Sequence, residues 1–600
     1  MSYTSPIRDM MFVMTELAGL DTIARLPECM DATRETAQAI LEEGAKFCEA
    51  VLAPLNATGD RQPSVWHDGT VSASPGFGKA FAQFAEGGWQ GLMHPVEYGG
   101  QGLPKLLAAP CQEMLVAANL SFATCPSLTD GAIEALLLAG SPSQKALYLP
   151  KLISGEWTGT MNLTEPQAGS DLAMLRARAE PAEDGTYRIF GTKIFITWGE
   201  HDMASNIVHL VLARTPDAPE GVKGISLFLV PKHVPTTHGS PGARNDVQCV
   251  SIEHKLGLKA SPTAVLQFGD RGGATGFLIG EENRGLEYMF VMMNAARFAV
   301  GLQGIALAER AYQKAAAYAK ERVQSRPVDG SSNAAVPIIR HPDVKRMLAT
   351  MRALTEAARA LAYATASHHD LALHHPDDAV RSEHRAINEY LVPIVKGWST
   401  ELSVEVTSLG VQVHGGMGFI EETGAAQYYR DARILPIYEG TTAIQANDLI
   451  GRKTVRDRGA VAKQMLVRVD QTLADLHAHR AFQTHPAFAA MYRHLEAGRT
   501  SMMRVIDFML ARAKSDPNAA FAGGVPYLML SGIVLGGWQM ARALIAACER
   551  ETLDPVFYGA KMATVHFYAT HILPRALGLE VAILSARGNE GVLALSDAHF

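Results

Sequence analysis

The strongest constraint on this chain is a change of hydrophobic period that occurs twice along its length. Between about Thr158 and Gly280 the apolar residues fall in short alternating or continuous β-prone runs, TYRIFGTKIFIT, NIVHLVLART, GISLFLVPK and TAVLQFGD, separated by Gly, Pro and Asp turns. On either side they recur at three- and four-residue spacing, in Ala37 to Leu55 and Gln112 to Ala139 before it. After it the same spacing runs through Met289 to Val323, Asp343 to His369, Ala379 to Leu409 and Thr441 to Ile450, with a Pro- and Ser-rich loop from Ser325 to Pro342. Such an order predicts a helical domain, a β-domain and a helical bundle, because each change of period needs its own kind of packing partner. Past Arg458 the helical pattern continues, interrupted at Pro486, Pro517, Pro526, Pro555 and Pro574. The expected fold is mainly α with a central β-domain, divided at 1–157, 158–280, 281–455 and 456–600.

Composition narrows the partners. The 600 residues carry 54 Lys and Arg against 61 Asp and Glu, a net charge of -7, so no overall basic balance invites nucleic acid or an anionic membrane. The six cysteines, Cys29, Cys48, Cys111, Cys125, Cys249 and Cys548, form no CxxC pair, so neither a disulfide framework nor a metal site is expected. A reducing cytoplasm is the expected location, since the first residues lack a basic region followed by an apolar run. The uncharged stretch Val525 to Ala541 is short and interrupted by Pro526 and several glycines, which predicts a buried helix rather than a membrane span. GxGxxG, GxxxxGK[ST] and HExxH patterns are all absent, so any site must be of another kind.

Four segments could hold one, although each alone has an ordinary structural explanation. MNLTEPQAGSDL, Met161 to Leu172, reads as a polar turn capped by Ser170 and Asp171. TKIFITWG, Thr192 to Gly199, is an alternating strand whose Phe195 and Trp198 read as core aromatics. LGVQVHGGMGF, Leu409 to Phe419, has glycines suited to a helix end or to close ligand approach. RDARILPIYEGTTAIQ, Arg430 to Gln445, carries Glu439 from an apolar stretch into a Gly-Thr-Thr helix start, where a lone Glu is usually a solvated dipole partner.

Taken together and in this order, TEPQAGSD, FITWG, the arginine of MNAAR at Arg297, QVHGGMGF and YEGTTAIQ resemble the motifs of the acyl-CoA dehydrogenase family, over about residues 30 to 452. The resemblance implies FAD held between the β-domain and the second helical domain. Leu163 and Thr164 match positions that reach the isoalloxazine, and Ser170 matches one at the pyrophosphate and substrate entrance. Phe195, a tryptophan in many members, and Thr197 match the pair over the flavin face. Arg322 matches an arginine that reaches the FAD pyrophosphate of a neighbouring subunit, with Gln324 beside it and Gln412 and Gly416 opposite. The usual Phe-Gly after that glutamine is Ser325-Arg326 here, and Ala443 stands where many members have Gln or Glu. Thr441 falls on the cofactor side and Gly440 on the substrate side of one turn, while Arg297 matches a residue near the CoA entrance.

The same resemblance makes Glu439 the base that takes the α-proton of an acyl-CoA thioester while the β-hydride goes to the flavin, giving the trans-2-enoyl product. The chemistry agrees with the residues, because a carboxylate becomes a stronger base when desolvated, and Ile434, Leu435, Pro436, Ile437 and Tyr438 can form an apolar pocket. The backbone N–H of Glu439, with a ribityl hydroxyl, would hold the thioester oxygen, each such donor being worth about 3 kcal/mol. The competing carboxylates Glu165, Glu421 and Glu422 read as solvated charges. YTSPIRDM, the chain length and the added helical domain resemble a large bacterial subgroup of the family, which implies a homodimer and an electron-transferring flavoprotein as acceptor. Two alternatives remain at this point. An acyl-CoA oxidase would share the base, though Pro166 and the motif spelling fit a dehydrogenase. A DNA-associated alkylation-response flavoprotein would need a basic face, and no Lys/Arg run of five or more follows Arg458.

Overall fold

The computed structural model describes residues 3–586 and 591–600. Helical periodicity is realised largely where the pattern puts it. The first run becomes helix α1 (Arg34–Phe47), a π-turn at Cys48–Leu52 and α2 (Ala53–Arg61). Pro54 explains the π-turn, because it offers no N–H to the carbonyl one helical turn back. Gln112 to Ala139 is split into α3 (Lys105–Ala118) and α4 (Leu120–Ala139) at Asn119, whose side chain leaves the helix and caps the next one at Phe122 N, 3.1 Å.

The bundle consists of three long helices, α5 (Gly285–Glu321), α6 (Pro342–His374) and α7 (Asp378–Val413), followed by the short α8 (Ala425–Ala432) and α9 (Thr442–Ile450). The added C-terminal region packs α10 (Ala460–Ala478), α11 (Pro486–Ser515), α12 (Gly524–Arg550) and α13 (Pro555–Phe567) against it. The α5 helix and the helical segment containing α12 are long and apolar enough to cross a membrane, and both bury most of their apolar window inside the protein. The expectation of a buried helix over Val525 to Ala541 is met.

Between α4 and α5 lie eight strands of one sheet: β1 (Trp157–Asn162), β2 (Arg178–Pro181), β3 (Tyr187–Thr197), β4 (Asn206–Ala213), β5 (Ser226–Pro231), β6 (Val247–Ile252), β7 (Thr263–Phe268) and β8 (Ala274–Ile279). Their order is β6-β7-β3-β8-β5-β4-β1, with β2 beside β3. Every residue of β4 and β5 is buried, as expected of apolar runs covered on both faces.

Buried charge joins the parts. Arg359 of α6 is 1% exposed and bonds Glu113 of α3 (2.6 Å), Glu309 of α5 (2.8 Å) and Asp9 (2.7 Å). Lys561 of α13 reaches the same Asp9, and Glu356 at 2.7 Å. Removing Arg359 or Lys561 would leave buried carboxylates without their cation, so the N-terminal segment, bundle and C-terminal region are locked at one point.

Candidate active site

Helix α8 runs into the turn Arg433 to Thr441, and Thr441 caps α9 by accepting the Ile444 N–H at 3.3 Å. Two successive residues in this turn are left-handed, Glu439 at φ +55° and Gly440 at φ +85°. For a non-glycine that conformation costs roughly 1–2 kcal/mol, so the surroundings must impose it. They do so from α7 and α9. The Lys396 ammonium, 0% exposed, donates to the carbonyls of Leu435 (2.9 Å) and Gly440 (2.8 Å). Gln445 Nε2 donates to the carbonyls of Glu439 and Gly440, both at 3.2 Å. Thr442 N–H bonds the Pro436 carbonyl at 3.0 Å, its hydroxyl bonds Glu401 at 2.6 Å, and the Tyr438 hydroxyl bonds Gln303.

The Glu439 carboxylate is partly buried on this turn, beside a buried Leu435 and a Tyr438 packed on the core. Burial pushes its carboxyl up to about 7, against the opposing pull of Lys396 and Arg297. A carboxylate so placed exchanges a proton near neutrality, unlike an exposed one. The Glu439 N–H makes no hydrogen bond to the protein among the described residues. Arg297 of α5 is 5% exposed, with Nη1 3.3 Å from Asp448 Oδ2 and 3.4 Å from Asn294 Oδ1. Its placement favours pairing with acids over a contact at a solvent-open entrance.

The β-domain segments are built around a bulge. Strand β3 pairs Ile196 with Ala264 and Lys193 with Leu266 of β7, so Ile194 and Phe195 together face the single Val265. Phe195 takes φ +59° there and is 59% exposed, whereas Trp198 is 1% exposed and bonds Thr124 Oγ1 at 2.9 Å. Of the two aromatics expected in the core, only Trp198 is there, because the bulge turns Phe195 out. Ile194 N–H holds the Thr164 carbonyl at 3.0 Å and Lys193 Nζ holds the Leu163 carbonyl at 3.0 Å, fixing the TEPQAGSD loop on the strand. Thr197 is partly buried opposite Thr263, and Ser170 is exposed at the loop's far end.

Glu165 corrects the sequence reading, which took it for a solvated charge. It is 3% exposed and accepts from Lys193 Nζ (2.8 Å), Arg176 N–H (2.7 Å), Ala177 N–H (3.0 Å) and Gln167 Nε2 (2.6 Å). Burial alone would raise its carboxyl, but Lys193 and the two amides hold it below the ordinary range. Glu421 and Glu422 are exposed, as expected.

The β-domain and the Glu439 turn are joined by hydrogen bonds through one loop. Trp198 N–H bonds the Pro262 carbonyl at 2.8 Å, and Leu258 N–H bonds Asp431 of α8 at 2.7 Å. Burial pushes Asp431 up to about 6 despite that bond. Its neighbour Arg430 pairs with Asp60 of α2, which adds the N-terminal domain to the junction.

The remaining expected residues lie elsewhere. Arg322, Gln324, Gln412 and Gly416 are exposed near the C-terminal ends of α5 and α7, which are brought together by His414 stacking on Tyr318 at 4.4 Å. Arg297 and Arg322 are about 25 residues apart along α5, or roughly 37 Å at the helical rise. One chain therefore presents two separate groups, one around Glu439 and one at the far end of the bundle. Lys396, Lys193, Gln445 and Asp431 escaped the sequence reading. The one signal for Lys396 was its standing as the sole charge between Tyr390 and Trp398 in an apolar helical run.

With fold and geometry in hand, the class is defined. Family models described as the acyl-CoA dehydrogenase N-terminal, middle and C-terminal domains match residues 34–156, 160–271 and 283–454, and one described as acetyl-CoA dehydrogenase C-terminal like matches 465–595. The chain belongs to the acyl-CoA dehydrogenase family. It is 54% identical over 576 residues to 3-methylmercaptopropionyl-CoA dehydrogenase of Ruegeria pomeroyi, covering 96% of both chains. It is 33% identical to a butyryl-CoA dehydrogenase of Syntrophomonas wolfei, again over 96% of each. A solved acyl-CoA dehydrogenase of Bacillus anthracis shares the fold at a TM-score of 0.73 and 22% identity, over 95% of this chain and 92% of that one.

Proposed function

We propose that this chain catalyses the FAD-dependent α,β-dehydrogenation of an acyl-CoA thioester, with Glu439 as the catalytic base and 3-methylmercaptopropionyl-CoA or a short fatty acyl-CoA as substrate. The observation that carries the reading is the Glu439 turn: a carboxylate on a strained, internally clamped backbone, raised by burial to about 7. The substrate class is supported by family membership and by the names of the full-length relatives.

When bound, FAD supplies the oxidant that accepts the β-hydride. The chain's own residues do the rest. Glu439 takes the α-proton, and its free N–H is available to the thioester oxygen as negative charge develops there. The exposed Phe195 offers an apolar face to a flavin, and Leu163, Thr164, Thr197 and Ser170 are the residues that would hold the cofactor beside it. Thr441 and Gly440, in the Glu439 turn, are the residues proposed for the cofactor and substrate sides there. Arg297 stands close enough to influence Glu439 and favours its ionised form.

Arg322, at the far end of α5 from Arg297 with Gln324, Gln412 and Gly416 near it, is too distant to serve the same flavin, which supports this group's reaching a second copy's cofactor in a homodimer. Met417, Phe419, Ile420 and Val323, 44% to 85% exposed around them, form the apolar surface such a contact would cover. An electron-transferring flavoprotein is the proposed acceptor and the cytoplasm the proposed location. The test is to identify the released cofactor by mass and to assay a panel of acyl-CoA thioesters with an artificial acceptor, with and without oxygen. FAD and acceptor-dependent enoyl-CoA formation are expected; FMN, or rapid stoichiometric peroxide formation, would refute the reading.

A further inference from the structure

The Glu439 turn rests on a charge that has no counterpart in the motif reading. Lys396 lies within α7, completely buried, and an ammonium in such a place normally needs an acid bonded directly to it. Here both of its hydrogen bonds go to backbone carbonyls, Leu435 at 2.9 Å and Gly440 at 2.8 Å. These two carbonyls bracket the apolar turn and lie on opposite sides of Glu439, so one ammonium ties both of them to a rigid helix. Helix α12 packs on α7 next to Lys396. A Cβ on Gly397 would lie 2.7 Å from Leu528, and Trp398 packs against Gly532 and Gly536, so α12 lies tightly against α7 at the two residues that follow Lys396.

The charged groups acting on Lys396 are Glu439 and Glu401, which favour the ammonium, and Arg297, which opposes it. Burial lowers Lys396 to about 8, so it remains charged at neutral pH. No acid is bonded to it in compensation, and its positive charge therefore acts on Glu439.

We propose that Lys396 is a positioning residue for proton abstraction: it clamps the turn that presents the Glu439 carboxylate and, bonded to the adjacent Gly440 carbonyl, keeps a buried positive charge near it. The proposal rests on Glu439 being the base. A purely structural lysine would also clamp the turn, but its loss would not change the pH at which the carboxylate works.

The test uses full-length, FAD-loaded protein and stopped-flow bleaching of the flavin by 3-methylmercaptopropionyl-CoA and by butyryl-CoA, from about pH 6 to about pH 9. Lys396→Met keeps an unbranched side chain one atom shorter and removes the charge. Its bleaching rate at neutral pH should fall on the order of tenfold or more, and the midpoint of its pH profile should rise by about one unit. Lys396→Arg keeps the charge but fits the two carbonyls differently, so it should be slower with the midpoint near that of the wild type. A Lys396→Met profile with an unshifted midpoint, whether slowed or not, overturns the proposal. So does a Lys396→Arg enzyme of wild-type rate, or failure of both variants to give folded flavoprotein, which would make Lys396 a folding residue. Glu439→Gln is run alongside. If it bleaches normally, the assignment of the base has failed; if it is inactive while Lys396→Met behaves as wild type, only the role of Lys396 has failed.

Discussion

Lys193→Met should loosen the TEPQAGSD loop far more than the loss of one surface charge would. In the native protein Lys193 is 0% exposed, 2.8 Å from Glu165 and 3.0 Å from the Leu163 carbonyl. Removing it leaves the Glu165 carboxylate buried with two amides and one side-chain amide as its remaining donors. Breaking a buried pair on one side costs about 3–5 kcal/mol. If that cost appears as local opening, hydrogen exchange of the backbone amides across residues 163–177 should accelerate by roughly 140- to 4,000-fold at about 1.4 kcal/mol per tenfold. The double variant Lys193→Met/Glu165→Gln removes both charges and keeps an acceptor for an amide. Its cost should fall to about 1–2 kcal/mol, the loss of the bond to Leu163 and an imperfect fit. Exchange measured by mass spectrometry on the FAD-loaded protein reads both. Acceleration in Lys193→Met of less than about tenfold, or a double variant as loose as the single, would refute the view that this ion pair holds the loop.

Two further outcomes follow from the geometry. Because Glu439 must be ionised to accept a proton and burial holds its carboxyl at about 7, flavin bleaching in the wild type should rise through pH about 7, level off above it and fall tenfold per unit below; a profile flat down to about pH 5 contradicts the burial. Gly532→Ala gains up to about 1 kcal/mol of helix propensity, yet its Cβ would lie 2.3 Å from Trp398 Cγ, so overpacking of about 1–3 kcal/mol should prevail and the thermal midpoint should drop. A midpoint equal to or above that of the wild type would show that α12 does not seat on α7 as described.

Much of this fold is visible in the period of the apolar residues. The runs Met289 to Val323, Asp343 to His369 and Ala379 to Leu409 became α5, α6 and α7 with boundaries only a few residues away, because long amphipathic segments leave little choice of period. What period does not carry is local exception. The bulge that turns Phe195 to solvent keeps the strand's alternating letters while reversing the side on which they fall, and the break at Asn119 is a single capping residue inside an apolar run. Motif order located Glu439 but could not show what surrounds it. Lys396 is 43 residues earlier in the sequence and Glu165 meets Lys193 across 28, so both clamps are long-range products of packing. Glu165 reads as a solvated charge, and neither lysine stands out, until the turn and the strand are brought against them.

The most direct measurement of the central claim is stopped-flow bleaching of Glu439→Gln by a good acyl-CoA substrate, beside Glu421→Gln and Glu422→Gln as exposed controls. Glutamine keeps the size of the side chain and leaves the backbone N–H in place, so folding, FAD content and the spectral shift on acyl-CoA binding should all persist. Bleaching should slow by about four orders of magnitude or more, the upper end for loss of a general base, while both controls stay within about twofold of the wild type. A Glu439→Gln enzyme that bleaches at close to the wild-type rate would contradict the account and place the base in another segment.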